Sequence, residues 1–248
     1  MIRVGTSGWQ YRDWRGRFYP EGLPQRRWLE HYATRFPTVE VNASFYHLPT
    51  AETFTHWRVA TPPGFVIAPK MSRFVTHIRR LRGCEEPVGT FLERARHLED
   101  KLGPVLVQLP PTLRADVPLL EDFVHLLQPE TRWAIEFRHG SWRSDDVQRI
   151  LDARGVALVL ADRPGARVPE VVTGGWSYLR FHQGTREGPG YRREKLVRWA
   201  DRIVGLPAGD VFAYFNNDAG AAAPRDAEIL SRLLAERGGD VAMPGHLA

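Results

Sequence analysis

The stretch TVEVNASFYHLP (residues 38–49) decides how the rest of the chain is interpreted. Valine and alanine at every second position alternate with Glu40 and Asn42, which is the pattern of a strand with one apolar and one polar face. In an antiparallel sheet the polar face can lie in water, whereas in a closed parallel barrel it points into the enclosed interior. If the fold is a barrel, Glu40 is therefore a buried carboxylate that needs a partner or a function.

The composition is that of an ordinary globular protein. The 248 residues are 43% hydrophobic, and no apolar run approaches the ~18 residues of a membrane span. The N-terminus shows no signal-peptide pattern, so we expect a cytoplasmic protein with no membrane partner. Cys84 is the only cysteine, which excludes an intrachain disulfide and a cysteine-based zinc site. The net charge of +5 permits anionic partners.

Apolar, β-branched segments recur along the chain, and most gaps between them have helical periodicity, in 28–36, 88–98, 119–127, 196–204 and 227–234. The segment 163–175 is rich in proline and glycine, and we expect it to be irregular or poor in helix. Strands alternating with helices indicate parallel βα units, and no linker divides the chain. We therefore predict an α/β protein, a single (β/α)8 TIM barrel over residues 1–248. The alternative is an open doubly wound sheet, although its G-x-G-x-x-G fingerprint is absent after the first strand. The predicted strands are 2–6, 39–44, 65–70, 104–109, 132–138, 157–162, 176–182 and 210–216.

Most polar residues of these strands lie in the C-terminal halves, which form the active-site face of a TIM barrel. We expect the barrel interior at this face to hold Glu40, Asn42, Lys70, Gln108, Glu136, Arg138, Asp162, Arg180, His182, Tyr214 and Asn216. An unpaired buried charge costs several kcal/mol, so a barrel without a ligand would use apolar residues here. The alternative is a set of structural ion pairs, such as Glu40 with Lys70.

The loops offer further candidates. Four aromatic residues either form an apron for a sugar or base or pack in the core beneath the loops: Trp9, Phe45, Tyr46 and Trp142. The loops after strands 7 and 8 are rich in glycine and alanine and carry Arg186 and Arg225. Such loops are the usual phosphate site of a TIM barrel, although small residues are also ordinary in turns.

The motifs GTSGW, VEVNASFYHLPT, PKMSRFVTH, EFRHGSW, YLRFHQG and YFNND together resemble the DUF72 family, also called YecE-like, over essentially the whole chain. The resemblance implies a TIM barrel but no activity, because the family has none assigned. Two positions differ from the family's usual pattern: Gly140 stands where proline is common, and Gln183 follows a histidine that glycine often follows. The family motif carries over to Gly5, Ser7, Gly8, Trp9, Glu40, Asn42, Phe45, Tyr46, Lys70, His77, Glu136, Arg138, His139, Trp142, Arg180, His182, Asn216 and Asn217.

Our first hypothesis is an enzyme, a hydrolase or lyase, that acts on a small anionic substrate, phosphorylated or sugar-like, without a metal or other cofactor. The predicted catalytic residues are Glu40, Lys70, Glu136 and His182, with different pKa values for the two carboxylates. Lys70 is alternatively a Schiff-base lysine. If the charges serve a ligand, Glu136→Gln and Arg180→Ala should leave folding nearly intact. The predicted substrate-binding residues are Ser7, Trp9, Asn42, Tyr46, Gln108, Arg138, Trp142, Asp162, Arg180, Asn216 and Asn217.

Two other functions are compatible with the sequence. One is a metal-dependent phosphoesterase or nuclease that resembles endonuclease IV in architecture, with ligands drawn from His77, His139, His182 and the nearby carboxylates, although no H-E-x-x-H or H-x-H spacing is present. The other is a non-catalytic protein that binds an anion or nucleic acid through the basic run RFVTHIRRLR (73–82). Its affinity for nucleic acid would fall steeply with salt.

Overall fold

Eight parallel strands form the barrel of this computed structural model, which describes residues 1–165, 168, 171–182 and 188–245. All eight predicted strands are present, which confirms the predicted (β/α)8 architecture. The largest difference is at the second strand, which ends at Val41 because the chain there turns into a short helix. The strands are β1 (Ile2–Ser7), β2 (Thr38–Val41), β3 (Val66–Pro69), β4 (Val105–Gln108), β5 (Trp133–Glu136), β6 (Ala157–Asp162), β7 (Ser177–Phe181) and β8 (Val211–Phe215).

Helices cover the outside of the barrel, and each predicted helical stripe overlaps one of them. The helices are α1 (Trp28–Ala33), α2 (Ala43–Tyr46), α3 (Ala51–Val59), α4 (Glu85–Ala95), α5 (Val117–His125), α6 (Asp145–Ala153), α7 (Arg193–Val204) and α8 (Ala222–Glu236). Local capping fixes several starts, as at α5, where the Asp116 side chain accepts the Leu119 N–H at 3.1 Å. The described part of the connection from β6 to β7, residues 163–165, 168 and 171–176, contains no helix, as predicted. No helix in the described ranges is long and apolar enough to cross a membrane.

The strand order is β3-β2-β1-β8-β7-β6-β5-β4. Single bridges close the ring between β3 and β4, one of them joining Lys70 to Leu106. The ladder between β5 and β6 is short, because it pairs only Ala134 with Ala157 and Ile135 with Leu158. The two strands therefore share few hydrogen bonds near their carboxyl ends, and this is where a cavity opens beside the candidate site.

Successive residues of β2 lie on opposite sides of the barrel wall, as the barrel hypothesis requires. Val39 and Val41 belong to the apolar layer between the strands and the helices, whereas Glu40 is fully buried and faces the barrel interior. Lower in the interior, a separate apolar cluster fills the space, with Leu106 and Phe212 among its members. The polar layer therefore rests on an apolar floor, at the face where TIM-barrel active sites are built.

Candidate functional site

Arg180 on β7 lies at the centre of the polar layer, with 1% of its side chain exposed. Its Nε and Nη2 donate to Glu40 Oε2 and Oε1 at 2.9 and 2.8 Å, and its Nη1 donates to Glu136 Oε2 at 2.7 Å. One guanidinium therefore bridges carboxylates from β2 and β5, and its contact with Glu40 is bidentate, the strong geometry for such a pair. The ion-pair partner of Glu40 is thus Arg180 from across the barrel and not Lys70 from the neighbouring strand.

Glu40 has further hydrogen-bond donors around it. The Tyr178 hydroxyl donates to Oε2 at 2.7 Å, and the Ser7 hydroxyl donates to Oε1. Asn42 in turn donates its amide to Ser7 Oγ at 2.7 Å. Burial and the adjacent Glu40 charge raise the pKa of Tyr178 well above its ordinary value, so this residue keeps its proton and remains a donor. Both oxygens of Glu40 are therefore occupied, which suits an anchor for Arg180.

Glu136 lies against a second set of positive groups. Its Oε1 is 2.5 Å from Arg138 Nε, 3.8 Å from His182 Nε2 and 3.9 Å from Arg163 Nε. Burial by itself would raise the pKa of Glu136, but the Arg180 and Arg138 guanidiniums outweigh it and lower the pKa to about 2. At neutral pH this carboxylate carries no proton, so it is unsuited to the general-acid half of the predicted carboxylate pair.

Three of these buried atoms make no well-directed hydrogen bond within the described ranges: Glu136 Oε1, Arg138 Nε and Arg163 Nε. Arg138 Nε is close to Glu136 Oε1, but its N–H is not aimed at the oxygen. Buried polar groups are normally satisfied by protein, water or a ligand. The edge of the cluster around Arg138 and Arg163 therefore has unused donor capacity.

Gln108 on β4 is the meeting point of three cationic groups. Its Oε1 accepts from Lys70 Nζ at 3.1 Å, from Arg138 Nη2 at 3.2 Å and from Arg180 Nη1 at 3.2 Å. An amide oxygen has two lone pairs and no net charge, so it satisfies three cations poorly. Lys70 is buried, and its Nζ lies 4.1 Å from the centre of the Phe45 ring. Burial, together with the Arg180 charge, lowers the pKa of Lys70 to about 8.

His182 completes the cluster as a neutral ring. Burial and the Arg180 charge lower its pKa to about 3. Its Nε2 is 3.4 Å from Arg138 Nη2, and its Nδ1 is 3.0 Å from the Asn216 side-chain amide. The Nδ1 contact is with the nitrogen of the Asn216 amide, so both neighbours of the ring are N–H donors. A neutral imidazole has a single acceptor nitrogen, so the ring accepts a hydrogen bond from one of the two.

The low pKa of His182 predicts acid sensitivity. Between its ordinary value of 6.5 and the folded value of about 3, the unfolded chain binds a proton on this ring that the folded protein does not bind. Stability therefore falls as the pH drops through this window, by about 2 kcal/mol between pH 7 and pH 5 from this residue. Urea unfolding of wild type and His182→Gln at both pH values measures the effect, and the variant should lose clearly less stability. Equal losses in the two proteins would contradict the assignment. Glu136 is present in both proteins and is largely ionised at pH 5 in the folded and the unfolded chain, so it does not obscure the comparison.

A cavity of about 330 Å³ opens beside Arg138 and Arg163, where the ladder between β5 and β6 is short. One wall is apolar, with Phe137 and Trp142 stacked at a centroid distance of 4.8 Å. The cavity lining thus combines guanidinium groups with an apolar surface. Its lining residues include Phe137, Arg138, Trp142, Val147, Leu158 and Arg163.

Comparison with known protein families shows which family this barrel belongs to. The model of the family described as "Protein of unknown function DUF72" matches residues 3–246. The chain belongs to DUF72. This confirms the resemblance drawn from the sequence motifs.

Two curated relatives and one crystal structure are similar to this DUF72 chain. UPF0759 protein YecE of Escherichia coli (strain K12) is 31% identical over 168 residues, covering 65% of this chain and 59% of the relative. UPF0759 protein YunF of Bacillus subtilis (strain 168) is 27% identical and covers 94% of this chain and 95% of the relative. The crystal structure of a DUF72 family protein from Thermotoga maritima MSB8 has a TM-score of 0.86 at 27% identity, covering 95% of this chain and 99% of that one. The family has no established activity, so the function of this DUF72 chain has to be argued from its site.

Some residues that sequence reasoning placed in the site lie elsewhere, and Asp162 is one of them. Asp162, the last residue of β6, points to the helix layer and accepts from Lys195 Nζ at 2.7 Å and Trp199 Nε1 at 3.1 Å, both on α7. The site position belongs to the next residue, Arg163, which was missed. Alternation within β6 could have identified it, because Val159 and Ala161 face the interior and Arg163 continues that series.

The predicted site residues in the loops also lie in different surroundings. Trp9 is buried against Trp57 in an edge-to-face contact at 5.5 Å, which is core packing, whereas Tyr46 is exposed. Asn217 donates to Pro189 O and to Asp226 Oδ2, both at 2.8 Å, and so supports the loop after β8 and not the polar layer.

The predicted phosphate site in the loops after β7 and β8 lies partly outside the described residues, because Arg186 belongs to 183–187. In the described part, Arg225 is paired with the carboxylate of Asp226 at 3.0 Å. A carboxylate at this helix start opposes an anion, so the described part of these loops is a poorer anion site than the polar layer.

The ligands expected for a metal centre are dispersed. His77 Nδ1 is within 2.8 Å of the Thr76 hydroxyl, and His139 Nδ1 is within 2.8 Å of the Ser141 hydroxyl. Among the residues that the structure describes, no group of three or more His, Cys, Asp and Glu side chains is arranged to hold a metal ion.

Proposed function

We propose that this DUF72 protein is an enzyme that binds a small substrate bearing a carboxylate or phosphate between Lys70 and Arg138, and acts on it by acid–base chemistry. The observation that carries the proposal is the convergence of Lys70, Arg138 and Arg180 on the neutral Oε1 of Gln108. A negatively charged oxygen is a much stronger acceptor for such donors than an amide oxygen. A ligand anion at this point would satisfy groups that Gln108 satisfies only in part.

The charge balance of the described polar layer supports an anion. It contains four cationic side chains, Lys70, Arg138, Arg163 and Arg180, and two carboxylates, Glu40 and Glu136. Arg180 is neutralised by its two carboxylates. Arg138 and Arg163 have only Glu136, which they share with Arg180, and Lys70 has no carboxylate at ion-pair distance among the described residues. Uncompensated charge in a partly buried site is costly, and a bound carboxylate or phosphate offsets the cost.

The acid–base chemistry is assigned to Lys70. An amine with a pKa of about 8 is partly neutral near physiological pH and can accept a proton, which an ordinary lysine seldom does. The arginines keep Glu136 ionised, and His182 stays neutral. Neither residue therefore exchanges a proton as readily as Lys70 at pH 7. The apolar wall of the cavity suits the uncharged part of the substrate.

Anion binding by point variants tests the proposal. Calorimetric titration at low salt with inorganic phosphate and with lactate should show binding in wild type. Arg138→Met should weaken it roughly 10- to 100-fold, because a charge-assisted hydrogen bond contributes about 1.5–3 kcal/mol. Arg225→Met is the matched control, since Arg225 lies in the loop after β8 and is paired with Asp226. Binding that survives Arg138→Met but is lost in Arg225→Met would place the anion in that loop and contradict the proposal.

The nucleic-acid alternative has less support from the described residues. Arg80 donates to the Thr112 main-chain oxygen at 2.9 Å, and Arg82 pairs with Asp116 at 2.9 Å. These two arginines of the 73–82 run therefore connect it to the chain before α5. The small-anion site explains more of the buried charge.

A further inference from the structure

We infer that Lys70 forms an imine with the substrate, which is therefore a small aldehyde or ketone that also carries a carboxylate or phosphate. This inference rests on the proposed anion site and gives its substrate a second functional group. The argument starts from a comparison of the three lysines of the chain, at positions 70, 101 and 195.

The other two lysines have structural partners that occupy the ammonium group. Lys101 Nζ donates to the main-chain oxygens of Arg58 at 2.6 Å and Thr61 at 2.5 Å, and to the Thr61 hydroxyl at 3.1 Å. Lys195 is paired with the carboxylate of Asp162 at 2.7 Å. In both cases oxygen acceptors already occupy the side-chain nitrogen.

Lys70 has neither arrangement. In the described residues its only hydrogen-bond acceptor is Gln108 Oε1, and no carboxylate lies at ion-pair distance. Burial and the nearby guanidiniums of Arg180 and Arg138 favour the neutral amine and outweigh the opposing charges of Glu40 and Glu136. A buried lysine beside other cationic groups is the arrangement that activates an amine for attack on a carbonyl.

The position of Arg138 defines the second group of the substrate. Lys70 Nζ and Arg138 Nη2 contact the same oxygen of Gln108, at 3.1 and 3.2 Å, so the two nitrogens lie close together. A carbonyl carbon at Lys70 thus places an adjacent carboxylate, or a phosphate one or two bonds further on, against Arg138. The Phe45 ring, 4.1 Å from Nζ, faces the same nitrogen, and a protonated imine keeps the positive charge that this ring favours.

The step needs no oxidant, reductant or metal. The lone pair of the neutral Lys70 amine attacks the carbonyl carbon, a C–N bond forms, and the C=O electron pair moves to oxygen. The oxygen then leaves as water with both amine protons, and C=N replaces C=O. In its protonated form this imine withdraws electrons from the neighbouring carbon, which prepares a C–H or C–C bond there for cleavage. The inference therefore favours lyase over hydrolase chemistry.

Reductive trapping tests the imine. The protein is incubated with sodium cyanoborohydride and either pyruvate or glycolaldehyde phosphate, and intact mass and peptide mapping follow. With pyruvate we expect one adduct on Lys70, with the added mass of pyruvic acid less one oxygen atom. Lys70→Arg keeps the positive charge but has no nucleophilic amine, so the adduct should disappear. Lys195→Arg, which changes a partly buried ion-paired lysine, should retain it, and Lys70→Met is a second variant if the arginine disturbs folding.

The outcomes separate the two proposals. Adducts spread over Lys195, Lys101 and the N-terminal amine, and unchanged by Lys70→Arg, would overturn the imine. If lactate and phosphate bind through Arg138 but neither carbonyl probe is trapped on Lys70, the imine is wrong and the anion site stands. If none of the anions binds, the proposed function fails and the imine inference fails with it.

Discussion

Arg180→Met is expected to destabilise the protein by about 3–5 kcal/mol at pH 7. Methionine is close in volume to the apolar part of arginine, but it leaves Glu40 and Glu136 fully buried with their principal counter-ion removed. The remaining donors to Glu40 are the neutral hydroxyls of Tyr178 and Ser7, which cannot replace a bidentate guanidinium. Removing one member of a buried charge network is among the most destabilising of single substitutions.

Urea unfolding at pH 7 and at pH 4.5 measures this effect. Without Arg180 the two carboxylates hold protons more readily, so the deficit of the variant relative to wild type should shrink at the lower pH. Arg163→Met is the matched control, because Arg163 lies at the edge of the same layer, 3.9 Å from Glu136, with 24% of its side chain exposed. It should cost far less. A loss below about 1 kcal/mol in Arg180→Met would mean that the bridge is not the structural centre of the barrel.

This expectation reverses the one drawn from sequence, and the reason is instructive. Alternation along β2, β5 and β7 correctly indicated that Glu40, Glu136 and Arg180 face inward, because the period of a strand is local information. Which of them pair depends on how far each side chain reaches across the barrel. That distance follows from the stagger between strands, and no single strand encodes it. Lys70 lies on the strand next to Glu40 and was the simplest partner, whereas the guanidinium of Arg180 reaches both carboxylates at once.

The remaining errors have similarly specific causes. Asp162 was chosen because it is charged and ends β6, but the alternation of that same strand directs Arg163 inward and Asp162 towards α7. Trp9 stands in a motif of small residues that indicates a ligand loop, and only the packing of Trp57 against it shows that it belongs to the core. The fold was predictable because eight strands repeat the same pattern, so an error in one of them does not change the prediction. Each site residue, in contrast, is indicated by a single position in the sequence.

Lys70→Met is expected to change the stability in the opposite direction to Arg180→Met. It should raise the free energy of unfolding at pH 7 by about 2 kcal/mol. The pKa of Lys70 falls from an ordinary 10.5 to about 8 in the folded protein, so folding disfavours the ammonium form. The difference corresponds to a penalty of about 3 kcal/mol below pH 8. Methionine removes that penalty and loses the contact with Phe45, which contributes about 1 kcal/mol. The same variant should no longer yield the Lys70 adduct, and its phosphate affinity should fall.

A stabilising substitution that weakens binding is the signature of a residue retained for function, because removing a structural residue would destabilise the protein. The sign of the pH dependence gives an independent check. The ammonium penalty is fully present below pH 8 and disappears as the pH rises through 10.5, so the advantage of Lys70→Met over wild type should narrow across that interval. Lys101→Met is the contrasting control: its ammonium donates three hydrogen bonds to Arg58 and Thr61, so that variant should be less stable than wild type. If Lys70→Met and Lys101→Met both destabilise the protein, Lys70 is a structural residue, and the acid–base and imine roles assigned to it are wrong.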